Sequence, residues 1–253
     1  MKEKLRSAIK NVTGQKHYDK LRLLKGVIGN LAFPIRYRFM SIISQPKLSE
    51  IGRFYRTDKA DVFHSYLHIY EKYFHDFKDK YISVLEIGIR NGASLRTWKS
   101  YFKNAKIYGI DIDPKCKHLE ERQVKIEIGS QDDVDFLRNC FGKNTDFDII
   151  IDDGSHINSM MIASFEYLFN NRLNSNGIYI IEDLRCSYQK LQTNCNILEI
   201  WPGMKYNDPY KDYDNNRKDM DKFFLEKIKN LDYQKGNILC IHFWSMVCVI
   251  IKA

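Results

Sequence analysis

Two apolar stretches of this sequence each end abruptly in carboxylates. Phe147-Asp148-Ile149-Ile150-Ile151 stops at Asp152-Asp153-Gly154-Ser155-His156, and Gly177-Ile178-Tyr179-Ile180-Ile181 stops at Glu182-Asp183. Acids and an imidazole grouped in this way suit two kinds of chemistry: oxygen ligation of a hard divalent cation, and proton transfer near neutral pH. Both require the groups to converge, and that requirement falls on the elements that carry them.

Each apolar run reads as a buried strand with its polar residues at the carboxyl end. In an open parallel α/β sheet, ligands bind in the crevice outside the carboxyl ends of the strands, so two such strands side by side bring four acids and His156 to one edge. Upstream, Ile82-Ser83-Val84-Leu85-Glu86-Ile87-Gly88 reads as the first strand. It turns through Ile89-Arg90-Asn91-Gly92-Ala93-Ser94 into a helix over about residues 95–102. The glycines let a ligand approach the backbone closely, and the N–H groups of the helix start suit a polar or anionic group. Gly88 and Gly92 lack the G-x-G-x-x-G spacing of dinucleotide binders, which argues against a nicotinamide cofactor.

The next strand, Lys106-Ile107-Tyr108-Gly109-Ile110-Asp111-Ile112-Asp113, places Asp111 roughly 20 residues after the glycine turn, where a carboxylate can accept from both ribose hydroxyls. A third, Val124-Lys125-Ile126-Glu127-Ile128, leads into Gly129-Ser130-Gln131-Asp132, polar groups suited to an adenine edge. Turn formation and N-capping are the competing roles for Asp111 and Asp132. Asp152 can cap or hydrogen-bond its own turn on the cofactor side, and Ser155 can cap a helix running through Met160 to Phe169. The last two apolar runs, Ile238 to Phe243 and Ser245 to Ile251, are too closely joined for a parallel crossover and should be antiparallel. The prediction is an α/β fold: a Rossmann-like seven-stranded, mostly parallel sheet with a reversed C-terminal edge strand, plus a helical N-terminal extension.

A chain of 253 residues, 44% apolar and 28% charged, suffices for one sizeable core. The expected organisation is a basic helical extension at 1–50 and a main domain at 51–253, with an acceptor or lid insertion at 184–236 containing Trp201-Pro202-Gly203 and the stretch Tyr206 to Asn216. The net charge of +8 sits wholly in the first 50 residues, which hold 11 Lys/Arg against 3 Asp/Glu, leaving 29 against 29 elsewhere. Such an arm could meet phosphate-bearing acceptors, anionic lipid, an acidic partner subunit or nucleic acid. Its leucines recur at near-helical spacing, which suggests packing on the main domain or on another subunit and a homo-oligomer. The six cysteines form no C-x-x-C pair, against a disulfide framework or a cysteine zinc site. No apolar run approaches the roughly 20 residues of a membrane span and no signal-peptide core follows Met1, so a cytoplasmic protein is expected.

Between extension and sheet, Tyr66, Ile69, Tyr70, Tyr73 and Phe74 sit at helical spacing and read as an amphipathic helix over the sheet. Thr57-Asp58-Lys59 stands apart as a candidate ligand loop, while His64 and His68 read as structural.

Through Leu85-Glu86-Ile87-Gly88-Ile89-Arg90-Asn91-Gly92, Gly109-Ile110-Asp111 and the seven-strand order, the chain resembles the class I S-adenosylmethionine-dependent methyltransferases. Through Thr57-Asp58-Lys59, Gly129-Ser130-Gln131-Asp132, Asp152-Asp153-Gly154-Ser155-His156 and Glu182-Asp183-Leu184, it resembles more narrowly the metal-dependent sugar O-methyltransferases of macrolide tailoring, which are related to the cephalosporin hydroxylase group. The resemblance spans about residues 50–190. It implies that Asp153, Glu182 and Asp183 hold magnesium, with manganese accepted by the same ligands, and that His156 with Asp153 carries the catalysis. It further implies an S-adenosylmethionine site formed by Thr57, Lys59, Glu86, Gly88, Arg90, Gly92, Ser94, Asp111, Ile112, Ser130, Gln131, Asp132 and Asp152. Lys59, His64 or Tyr66 would reach the methionine carboxylate. The chain departs from the pattern at Ser130, where an acid is common, and at Arg185-Cys186 near the acceptor.

The expected activity is magnesium-dependent O-methylation of a sugar hydroxyl or a sugar-attached group, such as the phosphoramidate or heptose of a bacterial capsule or surface polysaccharide, with a carbohydrate or sugar nucleotide as acceptor. The Lys-, Ile- and Asn-heavy composition favours that setting over the alternative, a macrolide or other natural-product sugar. RNA methylation is a further alternative, although no aromatic-interleaved basic patch is visible and no nucleic-acid partner is expected. A non-catalytic glycan-binding scaffold is the remaining one.

Overall fold

The β-branched runs that read as buried strands form a central sheet because both of their faces are covered. In the computed structural model, which describes residues 46–61, 63–142, 145–188 and 215–253, Ile149, Ile150 and Ile151 are fully buried, as are Ile180 and Ile181. Near-continuous apolar runs of this kind belong to parallel strands with helices on both sides. The N-terminal extension up to residue 45 and most of the expected insertion, 189–214, lie outside the described residues.

The elements in chain order are helix α1 (Leu48–Tyr55), helix α2 (Leu67–Phe74), strand β1 (Ser83–Ile87), helix α3 (Ala93–Tyr101), strand β2 (Lys106–Asp111), strand β3 (Val124–Ile128), helix α4 (Val134–Asn139), strand β4 (Phe147–Asp152), helix α5 (Asn158–Asn171), strand β5 (Leu173–Ile181), helix α6 (Arg217–Asp232), strand β6 (Ile238–Trp244) and strand β7 (Val247–Lys252). The seven strands are ordered β3-β2-β1-β4-β5-β7-β6. β1 through β5 pair in parallel, whereas β7 runs antiparallel to both β5 and β6. The expected reversed edge is therefore the C-terminal hairpin, with β7 the strand that opposes the others and β6 outermost.

The strand order reverses between β1 and β4, the position at which an open α/β sheet leaves its ligand crevice. Register fixes what meets there. Ile87 is paired with Asp152 across β1 and β4, and Asp152 with Ile181 across β4 and β5. The next residues, Asp153 and Glu182, continue the ladder: Asp153 N–H donates to Ile87 O at 3.0 Å and Glu182 N–H to Asp152 O at 3.0 Å.

α2 lies over this end of the sheet, burying Leu67, Ile69, Tyr70 and Phe74. Its aromatic face packs on α3, with the Phe74 and Trp98 rings edge to face at 5.8 Å. On the opposite side α5 and α6 meet through Phe165 and Phe223, at 5.0 Å. Ser155 does not cap α5; its hydroxyl accepts from Ile157 N–H, and the Asn158 N–H at the helix start is taken by Asn215 Oδ1 at 3.0 Å. Among the described residues no helix is long and apolar enough to cross a membrane, and Cys116, Cys140, Cys186, Cys240 and Cys248 are free thiols.

Candidate active site

The glycine turn after β1 shapes the first half of the site. Gly88 and Gly92 have φ of 80° and 70°, a region that L side chains rarely adopt. A Cβ on Gly88 would lie 2.0 Å from Asp153 O, so the turn and the tip of β4 touch backbone to backbone. A cleft opens here between Thr57, Asp58 and Lys59 on one wall and the turn from Gly88 to Ser94 on the other, with Asp153 also lining it. Asp111 shapes the turn: its Oδ2 accepts from the Ile89 and Arg90 N–H groups, each at 3.0 Å, and its Oδ1 from Asp113 N–H at 2.9 Å. Ile112, next to it, is exposed, and the Ser130 hydroxyl donates to Asp132 Oδ1.

The second half is the cluster of acids. Asp153 and Asp183 flank His156, whose Nε2 is 3.8 Å from Asp153 Oδ1 and 3.7 Å from Asp183 Oδ2. One ligand atom from each of the three lies within 4.8 Å of the others. His156 and Asp183 both occupy the left-handed region, with φ of 57° and 53°. Residues held there cost of order 1–3 kcal/mol each and cluster at functional sites.

Behind them, Lys59 is buried and donates to Asp153 Oδ2 and, at 2.7 Å, to Glu182 Oε2; Glu86 Oε1 is 3.5 Å away. Tyr70 OH donates to Glu182 Oε1 at 2.6 Å, and Tyr66 OH donates to Asp183 Oδ1. His64 stacks on the Tyr66 ring at 5.0 Å. Burial works against charge on Lys59, but Asp153, Glu182, Glu86 and Asp58 outweigh it and hold the ammonium well above the ordinary lysine range. Burial pushes Glu182 well up and Glu86 to about 7, each against the pull of Lys59. Asp183 goes the other way: burial opposes its charge, yet His156 and the Tyr66 hydrogen bond hold it below the usual range. One ammonium faces three carboxylates, which leaves the pocket short of positive charge.

Several expected cofactor contacts face inward instead. Asp152 is completely buried, accepting from Ser164 Oγ at 2.8 Å, from Gln131 Nε2 at 3.1 and 3.2 Å and from Tyr179 OH at 3.3 Å. Gln131 spends its other end on Ser155 N–H at 2.7 Å, so it ties the loop after β3 to the loop carrying His156. Glu86 is fully buried under Trp98, whose Nε1 donates to it at 3.0 Å. These three support the site from below. Asp152→Ala would orphan the buried Tyr179 hydroxyl and leave the Gln131 Nε2 and Ser164 donors with only their bonds to Ser164 Oγ and Met161 O, and should cost about 3 kcal/mol of stability, since an unsatisfied buried group costs ~1–3 kcal/mol; urea unfolding reads it directly.

The structure brings Thr57, Lys59, His64, Tyr66, Asp153, His156, Glu182 and Asp183 to one end of the sheet. Tyr70 belongs with them, although its spacing by itself predicts helix core alone. Its position one turn after Tyr66 is the signal that points to it. Asn215 is a second addition: its Nδ2 donates to His156 O at 2.8 Å and to Cys186 O at 3.0 Å, fixing the His156 loop against the end of the expected insertion.

Comparison with known proteins gives no match to any protein-family model. The chain is 37% identical over 166 residues to the mycinamicin VI 2''-O-methyltransferase of Micromonospora griseorubida, covering 63% of this chain and 38% of that protein. It is 39% identical over 150 residues to the 8-demethyl-8-alpha-L-rhamnosyl tetracenomycin-C 2'-O-methyltransferase of Streptomyces olivaceus, covering 56% of this chain and 39% of that one. A solved structure of the methyltransferase MycE of the mycinamycin pathway, in complex with Mg and SAH, matches with a TM-score of 0.65 at 32% identity over 82% of this chain and 55% of that one. The chain thus spans about two fifths of the length of these curated relatives.

Proposed function

We infer, from a chain that belongs with the class I S-adenosylmethionine-dependent sugar O-methyltransferases, that it transfers a methyl group from S-adenosylmethionine to a sugar hydroxyl of a natural-product glycoside. The observation that carries this is the convergence of Asp153, His156 and Asp183 beside the glycine-turn cleft. The relatives named for macrolide and tetracenomycin sugars favour a natural-product glycoside over the surface polysaccharide expected from composition.

The donor set fits a hard divalent cation. Asp153 Oδ1 and Asp183 Oδ2 face a common space, Glu182 lies behind them, and the buried acids outnumber the single ammonium. Asp153, Glu182 and Asp183 would hold magnesium, with Glu182 shared with Lys59, and manganese would accept the same oxygens. When bound, the ion lowers the pKa of a sugar hydroxyl.

His156 Nε2 takes the proton of the acceptor hydroxyl. The O–H bond breaks, the oxygen attacks the methyl carbon, and the carbon–sulfur bond breaks with its electron pair left on sulfur as the neutral thioether. The two walls of the cleft, Thr57 to Lys59 and Gly88 to Ser94, orient the sulfonium donor. Positioning of this kind supplies a large part of the rate in a two-substrate displacement. Asp111, which holds the glycine turn through the Ile89 and Arg90 N–H groups, and Ile112, exposed beside it, would lie on the nucleoside side of that turn.

The test is calorimetric titration of the full chain with S-adenosylhomocysteine, in magnesium and in EDTA, followed by methyl transfer to macrolide glycosides, rhamnosylated aromatic polyketides and capsule fragments. Binding of the thioether and transfer that EDTA abolishes are expected. Absence of binding in both buffers would overturn the methyltransferase reading, and transfer to capsule fragments alone would move the acceptor class.

A further inference from the structure

We propose that Lys59 is a positioning residue of the metal site, a built-in counter-cation that holds Asp153 and Glu182 together without the ion and limits how tightly the ion binds. This rests on the divalent-cation reading of the acid cluster. Sequence resemblance offers Lys59, alongside His64 and Tyr66, as a residue to reach the methionine carboxylate of the donor, but the geometry gives its ammonium different work. Its Nζ donates to Asp153 and to Glu182, the latter at 2.7 Å, and lies 3.5 Å from Glu86. An ammonium has three donors; two of them end on Asp153 and Glu182, and Glu86 Oε1, buried without a hydrogen-bond partner, stands in ion-pair range of the same nitrogen. The side chain is 2% exposed, so it cannot swing into the cleft without abandoning buried acids.

The charge count agrees. Lys59 meets Asp153, Glu182 and Glu86, and Asp183 adds a fourth acid at the same strand tips, so the acids outnumber the ammonium and leave negative charge for a cation to offset. Without Lys59 the metal-free pocket would hold three close carboxylates with no cation among them, and buried like charges repel strongly where water is excluded. Without Lys59 an incoming cation would also meet no neighbouring positive charge. Both effects make the ion bind more tightly when the ammonium is removed, at the expense of the metal-free fold.

The experiment is magnesium titration by calorimetry, with no donor or acceptor present, and thermal unfolding in EDTA and in saturating magnesium, on the unaltered chain, Lys59→Met, Lys59→Arg and Glu86→Gln. Lys59→Met should bind magnesium roughly tenfold more tightly, melt lower than the unaltered chain in EDTA, and recover most of that difference in magnesium. Lys59→Arg keeps the charge and should stay within about twofold of the unaltered affinity. Glu86→Gln removes one negative charge beside Lys59 and should weaken magnesium severalfold, which tests the charge balance even if Lys59→Met fails to fold. Unchanged magnesium affinity in Lys59→Met or in Glu86→Gln overturns the proposal, as does weaker S-adenosylhomocysteine binding in Lys59→Met with magnesium affinity unaltered. An unaltered chain that binds no divalent cation overturns the metal reading itself, a result distinct from these.

Discussion

His156→Asn should slow methyl transfer by roughly 10²–10⁴-fold, the usual contribution of a positioned proton acceptor, while magnesium and S-adenosylhomocysteine bind as they do to the unaltered chain. Asparagine is the informative substitution because His156 sits at φ 57°, a conformation that asparagine adopts far more readily than most residues. The loop should therefore keep its shape, still held through Asn215 on the His156 carbonyl and Gln131 on Ser155. What disappears is the imidazole Nε2, 3.8 and 3.7 Å from the two aspartates. Acceptors with a more acidic hydroxyl should lose less, since they depend less on a base. The cluster also admits His156 as a metal ligand. In that case the same variant would lower magnesium affinity, and calorimetry separates the two roles.

Gly88→Ala should remove transfer and thioether binding together and lower the unfolding midpoint. At φ 80° a Cβ is strained, which alone costs roughly 1–2 kcal/mol. Steric collision costs more: the new carbon would sit 2.0 Å from Asp153 O and 2.8 Å from Gly154 Cα, and both are backbone that cannot rotate away. Relief requires the tips of β1 and β4 to part, which moves Asp153 and breaks its bond to Ile87 O. One methyl group thus displaces both the glycine turn and Asp153. Gly142→Ala, at φ 85° with open space around it, is the control for strain without collision. It should lose stability only.

The sheet and the placement of its polar tips were legible because burial on both faces writes itself into sequence as unbroken apolar runs, and because those runs end in acids. The turn at Gly88 was legible for a similar local reason. What the sequence did not disclose is direction. Gln131 and Asp152 follow strands whose tips border a ligand cleft, yet both face inward, because Ser164 on α5 and Tyr179 on β5 offer partners that only the tertiary fold supplies. Tyr70 has the spacing of core packing, and its hydroxyl is what reaches Glu182. Lys59 was singled out by its motif, but its partners stand 94 and 123 residues away, beyond any local pattern.

Those separations also bear on when the site comes into being. Lys59, Tyr66 and Tyr70 leave the ribosome well before Asp153, Glu182 and Asp183, and every bond between the two groups closes a loop of more than 90 residues. Contacts so distant repay their loop-closure entropy only after the intervening sheet has formed. The segment bearing Lys59 and α2 has nearer partners on α3, Phe74 on Trp98 and Tyr55 on Ser100, so its packing does not depend on the acids, whereas the bonds of Lys59, Tyr66 and Tyr70 to the acids require β4 and β5 in place. A form that kept its sheet but lost these long-range bonds would keep its secondary structure and lose the gathered site, so a probe of the acid cluster is a stricter test of the native fold than a probe of helix and strand content.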